Sequence, residues 1–121
     1  DVALVKNKTI LEDSAIPANI ASSSLRRRAQ WLAKYPHHKV QDIRGNVQTR
    51  LRKFQETQQI DAVIFAKAGL ERLNVLPEDA MILDWMLPSP AQGIVGIVCC
   101  DNNESIKKIV TEINHKTSFI A

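Results

Sequence analysis

An α/β domain with a mixed, mainly parallel sheet flanked by helices is the fold class this sequence predicts. Short apolar runs of strand length recur along the chain, and between them lie stretches with apolar residues at helical spacing. One run, Ala62–Ala66, is continuously apolar, as a strand buried on both faces should be. Strands alternating with helices across a single domain's length of chain imply a parallel-rich sheet.

The elements follow in order. Val2–Val5 reads as a short apolar strand, and Lys6–Pro17 as a connection of turn formers and charges. Asn19–Ser22 is a brief strand. Ser22–Ser24 offers N-caps for a helix reaching about Lys34, with Leu25, Ala29, Leu32 and Ala33 as its inner stripe. Pro36 ends it, and His37-His38 reads as surface loop. Val40–Ile43 is the next strand, and Arg44-Gly45 a turn. Asn46 caps a helix to about Gln55 with Val47, Leu51 and Phe54 inward. After the Ala62–Ala66 strand come a short helix, Ala68–Leu73, and a strand at Ala80–Leu83. Leu87-Pro88-Ser89-Pro90-Ala91-Gln92-Gly93 is a hinge, rich in Pro and small residues. It divides residues 1–90 from residues 91–121. Ile94–Cys100 reads as a strand, and Asn103 or Asn102 caps a last helix with Ile106, Ile109, Val110 and Ile113 in its stripe.

The 121 residues are 45% hydrophobic and 24% charged, which suits one globular domain. No apolar run approaches the roughly 20 residues of a membrane span. Adjacent Cys99 and Cys100 cannot build a disulfide framework or a thiolate zinc site, so they read as small buried residues in a reducing, cytoplasmic setting. No metal ligand set is spaced along the chain. No Ser-His-Asp order and no phosphate-binding glycine loop is visible.

The net charge of +3 conceals an asymmetry. Residues 22–52 carry eight Lys or Arg against one acid, Asp42, and six of the seven arginines lie there. Such a window implies an anionic partner. Two stretches concentrate it: Ser22-Ser23-Ser24-Leu25-Arg26-Arg27-Arg28, and Asp42-Ile43-Arg44-Gly45-Asn46-Val47-Gln48-Thr49-Arg50. Each follows a strand and opens a helix, so helix amides and guanidinium groups meet there. Ligands of parallel sheets sit beyond the carboxyl ends of strands. The turns at Ser22–Arg27, Arg44–Asn46 and Lys67–Gly69 should therefore line one edge as a carboxylate or phosphate site.

At these residues the chain resembles the porphobilinogen deaminase (hydroxymethylbilane synthase) family. The family's Gly-Thr-Ser-Ser-Leu-Arg-Arg motif is matched by Ala21-Ser22-Ser23-Ser24-Leu25-Arg26-Arg27. Its Arg-Gly-Asn-x-x-Thr-Arg-Leu motif is matched in full by Arg44–Leu51, and its Asp-Ala-Ile-Ile-Leu-Ala-x-Ala-Gly-Leu-x-Arg-Leu stretch by Asp61–Leu73. A hinge similar to Leu-Pro-x-x-Gly-Gln-Gly stands at Leu87–Gly93. Departures are Ala21 for Gly, Ser22 for Thr, Ala91 for a hinge Gly, Pro90 within the hinge, and Val98 where Glu is usual.

The resemblance implies a three-layer, periplasmic-binding-protein-like half, corresponding to the family's second domain and the segment returning toward the first. It implies a transferase of tetrapyrrole and haem biosynthesis that joins four porphobilinogens into hydroxymethylbilane on a dipyrromethane cofactor. Cofactor- and substrate-binding roles fall by match on Ser22, Ser24, Arg26, Arg27, Arg44, Arg50, Gly69, Arg72 and Gln92. The family's catalytic Asp and cofactor-bearing Cys have no counterpart here, so the isolated chain is expected to be inactive. The implied partners are porphobilinogen and the growing pyrrole chain, not nucleic acid or membrane. The parent is expected to be a monomer, and residues 94–121 are expected to fold back or self-associate. The alternatives are a stand-alone anion-binding module and a nucleic-acid binder. Six aromatics without a stacking pattern weigh against the latter.

Overall fold

A computed structural model describes residues 1–13, 15–90 and 93–117. The chain divides into two compact units, Asp1–Pro88 and Ser89–Ala121.

The first unit is built on five strands: β1 (Val2–Val5), β2 (Asn19–Ala21), β3 (Lys39–Gln41), β4 (Ala62–Phe65) and β5 (Met81–Ile82). Their order is β3-β2-β4-β1-β5. β2 runs parallel to β3 and to β4, whereas β1 runs antiparallel to both β4 and β5. Four strands therefore share a direction and β1 opposes them, which is the mixed, mainly parallel sheet expected.

Alternation along β4 shows how the layers form. Ala62 and Ile64 face one core with Ala3, Ile20 and Val40, covered by Trp31 and Tyr35 of helix α2 (Leu25–Lys34) and its C-cap and by Ile10 of α1 (Thr9–Glu12). Val63 and Phe65 face the other core with Val2, Leu4 and Ala21. That side is covered by Phe54 of α3 (Val47–Glu56) and Leu70 of α4 (Lys67–Arg72). Helices on both faces of one sheet make the three layers. α1 lies within the expected Lys6–Pro17 connection. The Asn7 side chain accepts from the Thr9 amide at its start, and buried Ile10 anchors it.

Two expectations about α2 and its exit are corrected. Leu25 is 81% exposed, and Ala29 and Ala33 are also exposed. The inward face instead runs through Arg27, Trp31 and Tyr35, at i, i+4 and i+8. One fully buried indole, Trp31, fills the space assigned to a stripe of smaller side chains. His38 is buried rather than on a surface loop. Its Nδ1 accepts the Trp31 Nε1–H at 3.1 Å, and its ring stacks on Tyr35 at 4.9 Å. Trp85 closes the cluster against both aromatics of α2.

In the second unit, α5 (Glu104–Glu112) starts at Asn103, whose side chain accepts the Ile106 amide. Residues 94–100 form no strand, contrary to the apolar pattern: their backbone has no ladder partner among the described residues. Cys99 and Cys100 are accordingly exposed, not buried.

His38 carries a testable consequence. Burial lowers its pKa, partly offset by the carbonyls of Ile16 and Ile10 and by Asp61, while His37 adds to the lowering. A neutral ring is also what the Trp31 bond requires, because a protonated Nδ1 cannot accept. The unfolded chain therefore takes up this proton first as pH falls. Stability is expected to be fully supported above about pH 6.5, the ordinary histidine value, and to decline below it. Equilibrium denaturation across that range measures the slope, and His38→Gln should remove its part. An unchanged slope in the variant would assign the effect to other groups.

Candidate functional site

The register of the sheet decides which residues gather. β2, β3 and β4 are mutually parallel, so their carboxyl ends, at Ala21, Gln41 and Phe65, lie at one edge. From β2 the chain steps to β3 on one side, whereas β4 lies on the other. The gap between β2 and β4 is thus a topological switch point, where α/β sheets open a crevice. The turns bearing Ser22–Arg27 and Lys67–Gly69 flank it. Because Val2 pairs with Phe65, Asp1 of antiparallel β1 arrives at the same edge.

The first turn is tied down by its serines. Ser22 is buried, and its Oγ accepts the Ser24 amide at 3.4 Å. Ser24 caps α2, its Oγ accepting the Arg27 amide at 3.4 Å. Ser23, which the sequence reading passed over as a site residue, links the two arginine turns. Its hydroxyl donates to the Ile43 carbonyl at 2.8 Å and accepts the Ile43 amide at 3.0 Å. A tripeptide of serines gives no hint which one bridges.

Arg26 and Arg27 then meet a single carboxylate. Arg26 Nη2 donates to Asp1 Oδ2 at 2.7 Å, and Arg27 Nη2 to Asp1 Oδ1 at 2.8 Å. The Asp1 side chain is 9% exposed and that of Arg27 14%. Arg26 Nη1 also donates to the Leu87 carbonyl, which accepts Gln30 Nε2 at 3.1 Å as well. Gln30 Oε1 in turn accepts the Leu87 amide at 2.7 Å. Arg27 Nε is buried without a hydrogen-bond partner. Burial first, and then the Arg26 charge, lower the Arg27 pKa from its ordinary value.

The second turn needs its glycine. Gly45 has φ +121°, and a Cβ there would lie 2.7 Å from Thr49 Cγ2. Asn46 Oδ1 accepts the Thr49 amide, capping α3. Arg50 folds back so that its Nε donates to the Gly45 carbonyl at 2.6 Å. Arg44 is exposed and has no ion pair among the described residues. At the third turn Lys67 pairs with Glu71 at 3.3 Å. Gly69 is not demanded by space, since a Cβ there would meet Val47 at 3.8 Å. Arg72 ends α4, exposed and without an ion pair among the described residues.

The structure therefore brings Ser22, Ser24, Arg26 and Arg27 into one network. Arg44 and Arg50 are joined to it through Ser23 at the backbone. Arg72 shares only the edge, and Gln92 lies outside the described residues. Asp1, which closes the network, was not anticipated. Chemically, the arrangement offers several guanidinium donors and a buried unfilled one beside a sheet crevice, which suits a ligand bearing more than one carboxylate. Among the described residues no group of His, Cys, Asp and Glu could hold a metal, and no helix is long and apolar enough to cross a membrane.

Residues 1–108 match the family model for porphobilinogen deaminase, dipyromethane cofactor binding domain. The chain is 42% identical over 122 residues to a porphobilinogen deaminase of Sulfurovum, covering 99% of this chain and 38% of that protein. A probable porphobilinogen deaminase of Methanocaldococcus jannaschii is 45% identical over 121 residues, 97% of this chain and 40% of the relative. A chloroplastic porphobilinogen deaminase of rice is 43% identical over 104 residues, 84% and 29% of the two chains. The chain thus spans well under half the length of these relatives.

Ser23→Ala should remove the bond between the two arginine turns and leave the Ile43 amide and carbonyl without their partner. A loss of about 1–3 kcal/mol is expected from such unmet groups. Urea denaturation measures it. A loss no greater than that of an exposed Ser105→Ala control would show that the bridge does not hold the turns together.

Proposed function

The chain belongs to the porphobilinogen deaminase family, and we propose that it is the part of such an enzyme that holds the dipyrromethane cofactor and the carboxylates of the growing pyrrole chain. The observation that carries this reading is the Arg26–Arg27 pair. These two residues already grip a side-chain carboxylate at 2.7 and 2.8 Å, with Arg27 Nε left over. A group that carries acetate and propionate arms fits such donors. Bound, dipyrromethane supplies the primer from which four porphobilinogens are joined into hydroxymethylbilane.

The chain's own residues have three tasks in this reading. Ser22, Ser24 and the first turn of α2 shape the crevice wall. Arg26, Arg27 and Arg50, held by neighbouring groups, orient carboxylates by forked N–H···O contacts that lysine cannot reproduce. Arg44 and Arg72, exposed and without ion partners among the described residues, bring charge that neutralises further arms as the chain lengthens. Gly69 and Gln92 are assigned binding roles by their motifs alone. Nothing in the set moves protons or forms a carbon–carbon bond, so the chain holds substrate and does not turn it over.

The 121-residue chain should therefore bind a dipyrromethane dicarboxylate measurably by calorimetry. Arg27→Lys should weaken binding about tenfold or more, as the loss of a bidentate charged contact does. Equal affinity in the lysine variant would refute the forked contact. Porphobilinogen incubated with the chain alone should yield no hydroxymethylbilane, and its appearance would overturn the assignment of a holding role.

A further inference from the structure

Two guanidinium groups on adjacent residues of one helical turn repel each other and oppose the positive end of the helix. Something must fix them if they are to present donors in one geometry. The Arg28 side chain is exposed and turned away, and neither arginine has another acidic partner among the described residues. Asp1 alone meets both, one carboxylate oxygen to each.

Asp1 is itself rigidly placed. Its carbonyl accepts the Leu83 amide at 3.0 Å, and the next residue, Val2, is paired to Phe65 on one side and Ile82 on the other. Its side chain is nearly closed to solvent. A loosely held surface acid would exchange freely with water and with ligand anions. This one is held at the sheet edge beside the end of β4, in direct contact with both arginines.

We propose that Asp1 is a positioning residue of the anion site. Its carboxylate ties Arg26 and Arg27 side by side through Nη2 of each, cancels one of their two charges, and leaves their remaining amino protons to a ligand carboxylate. The idea rests on the carboxylate-holding reading above and adds a residue that no motif marked.

The test compares the 121-residue chain with Asp1→Asn and Asp1→Glu, each checked for folding by circular dichroism. Arginine Nη–H resonances in nitrogen-15 spectra report the contacts directly, because Nη2 of each arginine donates to Asp1. Two sharp, distinct signals are expected for Arg26 and Arg27, lost to exchange in Asp1→Asn and regained in Asp1→Glu. Porphobilinogen affinity should fall about tenfold in Asp1→Asn, within the range of couplings between contacting residues, and recover in Asp1→Glu. Unchanged resonances, or tighter binding in Asp1→Asn, would overturn the proposal, since the acid would then be a bystander or a competitor. Should Asp1→Asn fail to fold, Asp1→Glu decides: a folded glutamate variant that neither keeps the resonances nor binds would also overturn it. Glutarate, a dicarboxylate without a pyrrole, is titrated in parallel. If glutarate binding depends on Asp1 but porphobilinogen does not bind at all, the pyrrole reading fails and the positioning role stands.

Discussion

β1 enters the sheet antiparallel to β4 and β5, so its first residue lies where the other strands end. In an all-parallel sheet that edge would be lined by carboxyl-terminal turns alone, and no acid of those turns pairs with Arg26 or Arg27 among the described residues. The reversed strand delivers an acid among them. Asp1 meets Arg26 and Arg27, Arg26 meets the Leu87 carbonyl, and Gln30 brackets the Leu87 peptide from both sides. The edge, the first turn of α2 and the end of the first unit are thereby one connected set of charged hydrogen bonds.

The arginines would otherwise be a poor choice for that turn. Cations at a helix N-terminus cost about 0.3–1 kcal/mol each in the exposed case. Burying most of the Arg27 side chain adds to this by desolvation, the first cause of its lowered pKa. Ser24 and Asp1 offset the cost from two directions: the serine satisfies a helix amide, and the aspartate answers the charge. Breaking a buried pair by removing one member is far more damaging than never having built it. Here the two guanidinium groups share the one carboxylate of Asp1 at the carboxyl-terminal edge of the sheet.

Much of the frame could be read from the chain. The continuous apolar run at Ala62–Phe65 marks a doubly covered strand, and Ser24, Asn46 and Asn103 cap the helices they were expected to cap. What escaped was decided by tertiary partners. Periodicity favoured Leu25, Ala29 and Ala33 on α2, but a single Trp31 fills the core and turns the helix to suit itself. His38 looked like loop because its partners, Trp31 and Tyr35, are brought onto its ring only by folding. Residues 94–100 are a continuous apolar run of strand length, yet an apolar run does not specify a neighbour to bond. Asp1 sits 25 residues from Arg26, and no local signal connects them.

The two kinds of arginine at the edge differ in what ligand binding would ask of them. Arg26, Arg27 and Arg50 are already held, by Asp1, Leu87 and the Gly45 carbonyl, so a ligand gains their contacts with little further loss of side-chain freedom. Arg44 and Arg72 are exposed and without ion partners among the described residues, so ordering each one would cost about 0.5–1.5 kcal/mol. A site of this build favours carboxylates first at the fixed arginines, where geometry is set, and recruits the others only when more negative charge arrives. Under the proposed carboxylate-holding role, that division would let the fixed arginines set position and the mobile ones accommodate additional charge.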